Sequence, residues 1–558
     1  MRPLAPVAPI APVALLALLA AGCGGGGGSG SSSIRTLRVG RFVAPVVAGL
    51  PYSTPTESGV TGSDGSFRYR AGESITFAIG ATPLGASVPA APELDAFALV
   101  PGAEPPLAAR EIDRFRNEES YRPPAPDVLR QYEAVNLLAF LFAFDADRDP
   151  ANGVALAPGL AARFAAATLD FRMASERFQR SYPFRARRYD AFHAGLVAHA
   201  GEFPGWRALE LHCAELGLVP QAWLQTRLER DGDADGLPDQ RSELLLDARF
   251  APAVEWIDFD ADGTPDLIES WSFDAAGRLE AFALDGDGDG FPERTEFRSY
   301  GLHDVVRETA SDSDGDGSPD SWTEHEYGST GLLWRSATDA DGDGKYDDVV
   351  HETDYDALGR PIEQRRDFDG DGAFDFVEQT VFDAAGNAIE SRSDNDGDGQ
   401  FDFADWSSYD AAGNLLVRDS DHDGDGAPDY RVAFEYDAAG NTIRTRTDVD
   451  FDGQFDSTET REVDARRRLL RRESDFDGDG TVDDADAFAY VDDAAGNELE
   501  RRDDWDADGD VDYRVSREFG ADGQLLEVAF DVGGDGVTDA IDRVTMTRVP
   551  LASWRLAN

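Results

Sequence analysis

Residues 421–448 read DHDGDGAPDYRVAFEYDAAGNTIRTRTD, and the stretch divides into four pieces. An acidic loop comes first, Asp421-His422-Asp423-Gly424-Asp425-Gly426-Ala427-Pro428-Asp429. In Tyr430–Tyr436, Tyr430, Val432, Phe434 and Tyr436 alternate with Arg431, Ala433 and Glu435, the period of a half-buried strand. Asp437-Ala438-Ala439-Gly440-Asn441 follows, and Asp first with Gly fourth suits a type I turn closed by a left-handed residue. Thr442–Thr447 returns as a second strand and enters the next acidic loop at Asp448. The unit is one loop plus one β-hairpin.

The unit repeats. Asp-x-Asp-x-Asp-Gly-x-x-Asp begins at Asp231, Asp258, Asp285, Asp312, Asp339, Asp367, Asp394, Asp421, Asp448, Asp475, Asp504 and Asp531. Successive starts differ by 27 in nine of the eleven intervals, and by 28 and 29 in the other two. Counting from the first Asp, all twelve copies have Asp at 1 and 5 and Gly at 6. Position 3 is Asp except at Gly533, and position 9 is Asp except at Glu293. A solubilising acidic surface would scatter its charges. A fixed register marks a cation site, because calcium takes six to eight oxygens at about 2.3–2.6 Å and alternate carboxylates of a tight loop supply them. Gly at 6 allows the backbone to turn around the ion.

The candidate ligands are therefore Asp231, Asp233, Asp235 and Asp239; Asp258, Asp260, Asp262, Asp266 and Glu269; Asp285, Asp287, Asp289, Glu293 and Glu296; and Asp312, Asp314, Asp316 and Asp320. The next four loops add Asp339, Asp341, Asp343 and Asp347; Asp367, Asp369, Asp371, Asp375 and Glu378; Asp394, Asp396, Asp398, Asp402 and Asp405; and Asp421, Asp423, Asp425 and Asp429. The last four add Asp448, Asp450, Asp452, Asp456 and Glu459; Asp475, Asp477, Asp479, Asp483 and Asp486; Asp504, Asp506, Asp508 and Asp512; and Asp531, Asp535, Asp539 and Asp542. Position 12 is acidic in seven copies and is Ser242, Thr323, Val350, Val432 or Val515 in the others. The loop is thus EF-hand-like without flanking helices or a constant Glu at 12, and the expected cofactor is Ca²⁺, up to about twelve ions at about 10⁻⁴–10⁻³ M.

A hairpin this small cannot stand alone, so the units are expected to pair side by side in a one-dimensional array whose spacing calcium sets. An aromatic residue ends the first strand of most copies (Phe273, Tyr300, Tyr327, Tyr355, Phe382, Tyr409, Tyr436, Tyr490, Phe519), and stacking would make a continuous aromatic row. The turn, aromatic-Asp-Ala-Ala-Gly-Asn, resembles the YD-repeat family of bacterial surface and toxin-encapsulating proteins, which implies hairpins pairing into a long coiling sheet. The acidic loops resemble thrombospondin type 3 repeats, although this region has no cysteine. Asp475–Tyr490 also resembles half of a dockerin.

The N-terminus reads differently. Residues 1–22 have Arg2, an apolar run Val13–Ala21 and small residues before Cys23, as in a secretory signal. Leu19-Ala20-Ala21-Gly22-Cys23 resembles a bacterial lipoprotein box, with Ala20 where that family usually has Leu. The resemblance implies lipid on Cys23, a tether over 23–33, and the outer membrane, since Gly24 replaces the retaining Asp. Plain secretion is the alternative. Residues 34–102 carry short β runs, and Ala48-Gly49, Gly59-Val60-Thr61, Asp64-Gly65-Ser66-Phe67 and Gly72-Glu73 resemble a carboxypeptidase-regulatory-like domain, implying a small β-sandwich without catalysis. Residues 103–230 read as a linker and a helical domain, with helical stretches to about Leu228. Within it, Asp145-Ala146-Asp147-Arg148-Asp149 with Asn152-Gly153 is either a cation loop or an ordinary solvated loop, since Pro150 stands where a calcium loop turns on Gly. Cys213, after His212 on an amphipathic helix, is expected to be buried and inert. The array spans 231–546 and a tail 547–558. The fold class is mainly β with one α-helical domain.

Charge supports this division. Residues 1–230 hold 22 acidic and 22 basic side chains, and the rest hold 87 and 29, so the whole net charge of −58 belongs to the repeats. Nucleic acid and anionic membrane surfaces are excluded as partners by repulsion. No His-Glu-x-x-His, nucleophile-elbow or phosphate-loop pattern occurs, so no catalysis is expected. The reading is a calcium-binding, lipid-anchored cell-envelope protein whose array is structural or adhesive toward a surface protein or glycan. Two alternatives remain: an enzyme or ligand-binding module in the helical domain, or dockerin-like partner docking.

Overall fold

A computed structural model describes residues 36–109, 111–112, 126–165, 169–198, 200–201, 203–301, 305–328, 330–346, 349–494 and 496–551. The leader, Cys23 and its tether lie outside the described residues, as do His199, His303 and the candidate ligand Asp347.

Among the described residues, the extended apolar core cluster draws on Phe42 through Ala222, plus Leu551. Its β part is two small sheets and a two-stranded pairing of Val47–Ala48 with Val154–Ala155. One pairs Leu37–Phe42 with Ser66–Arg70 and Glu93–Leu94, and the other is built around Ser74–Ile79. Ile75, Phe77 and Ile79 alternate inward along the latter, as strand periodicity requires. The helical part contains α1 (Pro126–Ala143), α2 (Leu160–Arg163), α3 (Ser175–Arg180), α4 (Tyr182–His193) and α5 (Gly205–Glu215). From Ala134 to Ala143, α1 is buried on every face, so it runs through the middle of the core. Phe140 on α1 meets Phe144, Phe164, Phe171 and Phe184. The β and helical parts share this core, and Val154 pairs with Val47 across it.

The helical pattern does not reach Leu228. Gln221–Asp231 is a strand, because its backbone pairs along nearly its whole length with Ala540–Pro550 at the far end of the chain. No local pattern near Leu228 announces that partner.

That pairing closes the expected side-by-side array on itself. The hairpins do pair side by side, but 24 strands close into a barrel. Register explains how. Ser270 pairs with Ala283, and Ala283 with Thr295, whereas the equivalent of Ser270 in the next repeat is Phe297, two positions further on. Each repeat therefore slips by two residues, and over the ring the slip nearly equals the strand number. That ratio gives a strand tilt of about 35–40° and a ring about 40–45 Å across. Small buried side chains such as Ala310, Ala337, Val432 and Val515 dot the wall, but much of it is only half-buried, as all seven residues of Ser321–Tyr327 are.

Cross-strand contacts hold the wall together. The strand-ending aromatics do not stack in a row. Tyr300 Oη instead donates to the Leu279 carbonyl of the preceding repeat at 2.7 Å, and Tyr436 Oη to that of Leu415 at 2.8 Å. Arg278, last residue of its turn, lies over Tyr300, and Arg468 over Tyr490. In the turns, Gly440 N–H donates to Asp437 O and Asp437 N–H to Asn441 O, and Gly440 has φ +79°.

The backbone N–H and side-chain amide of Asn414 donate to Asp410 and hold its carboxyl below the usual carboxylate range. The Arg278 and Asn441 groups do the same for Asp274 and Asp437. A carboxylate depressed in the folded state stabilises above its unfolded value, near 3.9, and loses that contribution as pH falls through its folded value. Asp410→Ala should therefore unfold at lower urea than the parent at pH 7, with the gap closing toward pH 3 in circular-dichroism titrations.

Candidate metal centres

Every acidic loop follows a returning strand and precedes an outgoing one, so all twelve lie on one rim of the ring. The hairpin turns form the other rim, where the core unit sits. Arg185 on α4 donates to Gly359 O, and His193 Nε2 meets Ala357 O at 2.7 Å.

Each loop is set by two left-handed residues. Position 6 is glycine at positive φ in all twelve, for example Gly426 at +87°. Its N–H donates to the position-1 carboxylate at 2.7–3.0 Å in every loop. The position-5 carboxylate accepts the N–H of position 7, as Asp425 does from Ala427 at 2.9 Å. The position-9 carboxylate accepts the N–H of position 2 in the eleven loops where it is described, as Asp456 does from Val449 at 2.7 Å. Position 1 is the buried end: ten of the twelve aspartates there are shielded from water, Asp475 and Asp504 being half-buried.

These bonds turn the carboxylates toward one another. Asp285, Asp287, Asp289 and Glu293 each offer an oxygen within one sphere of 4.8 Å, as do Asp231, Asp233 and Asp239, then Asp258, Asp260 and Asp266. Asp312, Asp314 and Asp316 form another set, Asp339, Asp341 and Asp343 a fifth, and six further groups exist among the described residues. Such clusters can hold metal ions. Asp231 Oδ1, Asp475 Oδ1 and Asp531 Oδ1 are buried with no hydrogen-bond donor. Asp320 is held below the usual carboxylate range by the backbone N–H and hydroxyl of Ser313, and Asp429 by His422.

Six of the seven acidic residues at position 12 have other partners. Asp542 pairs with Arg230 at 2.8 Å, Asp486 pairs with Arg472, and Asp405 and Glu378 accept from Ser420 and Ser391. They sit on the strands and tie the wall.

Position 4 carries a role that the repeat pattern had not revealed. It is left-handed in every copy, glycine in eight and Ala234, Ala261, Phe451 or Ala507 in four. A methyl on Gly424 would come 2.8 Å from Phe401 O of the preceding loop, and one on Gly315 2.7 Å from Pro292 O. At seven of these glycines, neighbouring loops thus abut, backbone against backbone. The recurrence of a second Gly two residues before the first was the signal available.

The other sequence candidates lie in the core. Cys213 is fully buried, and burial pushes its thiol up to about 12. His212 is buried with Nδ1 at Ala44 O, and loss of hydration lowers its pKa.

No protein-family model matches this chain, and no curated protein does. Among solved structures, TcdB2-TccC3 without its hypervariable C-terminal region aligns over 54% of this chain and 15% of its own, at 13% identity and TM-score 0.29. The Photorhabdus luminescens Tc holotoxin pore aligns over 56% and 22%, at 14% and 0.23. A porin-like protein from Bacteroides uniformis aligns over 58% and 96%, at 11% and 0.18. The chain thus spans under a quarter of those two toxin chains. At such scores, what the rim does follows from this chain's own residues.

Gly424→Ala and Gly426→Ala separate the roles of positions 4 and 6. Both impose an L side chain at positive φ, but only the first also meets a neighbouring backbone. Both should destabilise, by about 1–3 kcal/mol, with Gly424→Ala the worse in denaturant titrations.

Proposed function

We propose that this is a calcium-binding, lipid-anchored protein of the bacterial cell envelope, whose ring serves structure or adhesion. The observation that carries the proposal is the recurrence, in loop after loop along one rim, of three or four converging carboxylates drawn from positions 1, 3, 5 and 9. Two carboxylates at such distances repel by about 3–4 kcal/mol at an effective dielectric near 20. A divalent cation reverses that sign. Positions 1, 3, 5 and 9 would hold it, with carbonyl or water oxygens completing the shell that a hard cation requires.

The ring has reason to need the ion. The described strands of its wall are largely half-buried, and seven of its loops abut the one before, so a cation in such a loop would brace both it and its neighbour. Twelve divalent ions would take the net charge from −58 to about −34, still repelled by anionic surfaces.

The wall is suited to water. Seven-residue strands at this tilt rise about 18 Å, short of the roughly 25 Å apolar band of a membrane barrel. Ser457–Val463 has Ser457, Glu459 and Arg461 on one face and Thr458, Thr460 and Glu462 on the other, so neither faces lipid. No helix among the described residues is long and apolar enough to cross a membrane. Attachment is therefore assigned to lipid on Cys23. Adhesion is favoured by apolar side chains on the acidic rim: Phe259, Phe368, Phe476 and Trp505 at position 2, and Phe291 at position 7, are all at least half exposed.

Calcium titrated into the full chain should raise its melting temperature progressively. At ten times the dissociation constant each independent site adds about 1.4 kcal/mol. An unchanged melting curve up to about 10 mM calcium, well above the weak extracellular range, would overturn the calcium reading. For the anchor, Cys23→Ser protein should leave the membrane fraction for the soluble one. Retention of that variant in washed membranes would instead favour a spanning barrel.

A further inference from the structure

A loop away from the ring has the rim loops' backbone. Asp145-Ala146-Asp147-Arg148-Asp149 leaves the end of α1, and Arg148, fourth in the loop, has φ +58°, as Ala234 has +56° and Ala261 +54°. Asp149 N–H donates to Asp147 Oδ1 at 3.1 Å, matching Asp235 N–H to Asp233 Oδ1 at 3.1 Å. Ala151 N–H donates to Asp149 Oδ1 at 3.0 Å, matching Leu237 N–H to Asp235 Oδ1 at 2.8 Å.

The sixth position differs. In every rim loop a glycine N–H occupies one oxygen of the first aspartate. Pro150 has no N–H to give. Asp145 Oδ1 accepts from Ala155 N–H at 2.7 Å, while Oδ2 has no donor. Asp145 is only 1% exposed, and its carboxyl lies against that of Asp147. A buried acceptor facing another acceptor is a costly arrangement that a hard cation satisfies.

We infer that this loop is a thirteenth divalent-cation site, separate from the rim, with Asp145, Asp147, Asp149 and the Asn152 carbonyl as its oxygen donors and calcium as the fitting ion. Asn152 is already placed, its amide donating to Asp147 Oδ2 at 3.0 Å. Arg148 is drawn to the carbonyls of Ala143 and Gly201, at 3.3 and 3.1 Å. The site sits at a junction: Gly153 and Val154 meet the strand at Val47, and Ala198 N–H donates to Ala146 O. A bound ion would brace α1, the N-terminal sheets and the segment before α5 as one unit.

Hydrogen–deuterium exchange on the full chain, in chelator and in calcium, tests this peptide by peptide. Exchange over 144–156 should slow about tenfold at ten times the dissociation constant. Asp147→Asn should abolish that slowing, with peptides of 205–215 reporting that the core remains folded. Unchanged exchange over 144–156 in the parent overturns the inference whatever the rim does, and is the result expected if the two carboxyls simply share a proton. Slowing that survives the Asp145→Asn/Asp147→Asn double variant overturns it too. Rim peptides such as 421–429 are read separately. Slowing at 144–156 without slowing at the rim supports this site and counts against the rim reading alone.

Discussion

Like charge held at close range is the constraint on which the rest of the ring depends. The loops beginning at Asp231, Asp258, Asp285, Asp312 and Asp339 each bring three or four carboxylates within 4.8 Å of one another, and six further acidic clusters exist among the described residues. The backbone meets the constraint first. Glycine at position 6 and a left-handed residue at position 4 turn amide N–H groups onto the carboxylates, so every loop holds its shape through directed, charge-assisted hydrogen bonds. Loops so shaped can then abut, and the approach of Gly424 to Phe401 O couples its loop to the one before, as six other position-4 glycines do.

The wall answers a different problem. A ring this wide cannot bury side chains across its lumen as a small barrel does. Its stability therefore resides in ladder hydrogen bonds and in contacts along the sheet surface. Tyrosine hydroxyls reach carbonyls of the previous repeat, arginines lie over aromatic rings, and Arg431 pairs with Asp419 across neighbouring strands at 2.6 Å. Closure removes the free edges that would otherwise template aggregation. The long strands Gln221–Asp231 and Ala540–Pro550 make that closure and also join the ring to the core unit, where Leu551 is buried.

Much of this was legible in the chain. The repeat period, the hairpin turn at Asp437–Asn441 and the carboxylate register are local features, and local chemistry dictates them. The position-12 residues were less legible: Asp542 and Asp486 have the identity of ligands, but Arg230 and Arg472 lie on neighbouring strands and take them. Arg230 stands at the opposite end of the array from Asp542, and Arg472 lies across a whole acidic loop from Asp486, so only register brings either pair together. The aromatic residues likewise looked like a stack, whereas a whole strand lies between one ring and the next, as Val306–Asp312 does between Tyr300 and Tyr327.

What the sequence by itself determined is the repeating unit: an acidic loop whose glycines set its turn, and a hairpin whose alternating side chains set its strands. These follow from φ preferences, side-chain period and charge, which act within a few residues. Only the tertiary structure decided that the units form a ring. Its closure depends on the slip in each repeat accumulating to nearly the strand number, and on a partner for Gln221–Asp231 that lies beyond the last of the twelve loops. A per-repeat sequence pattern is the same in a rod and in a ring. The difference lies in a small rotation summed over the whole chain, and no single repeat contains it.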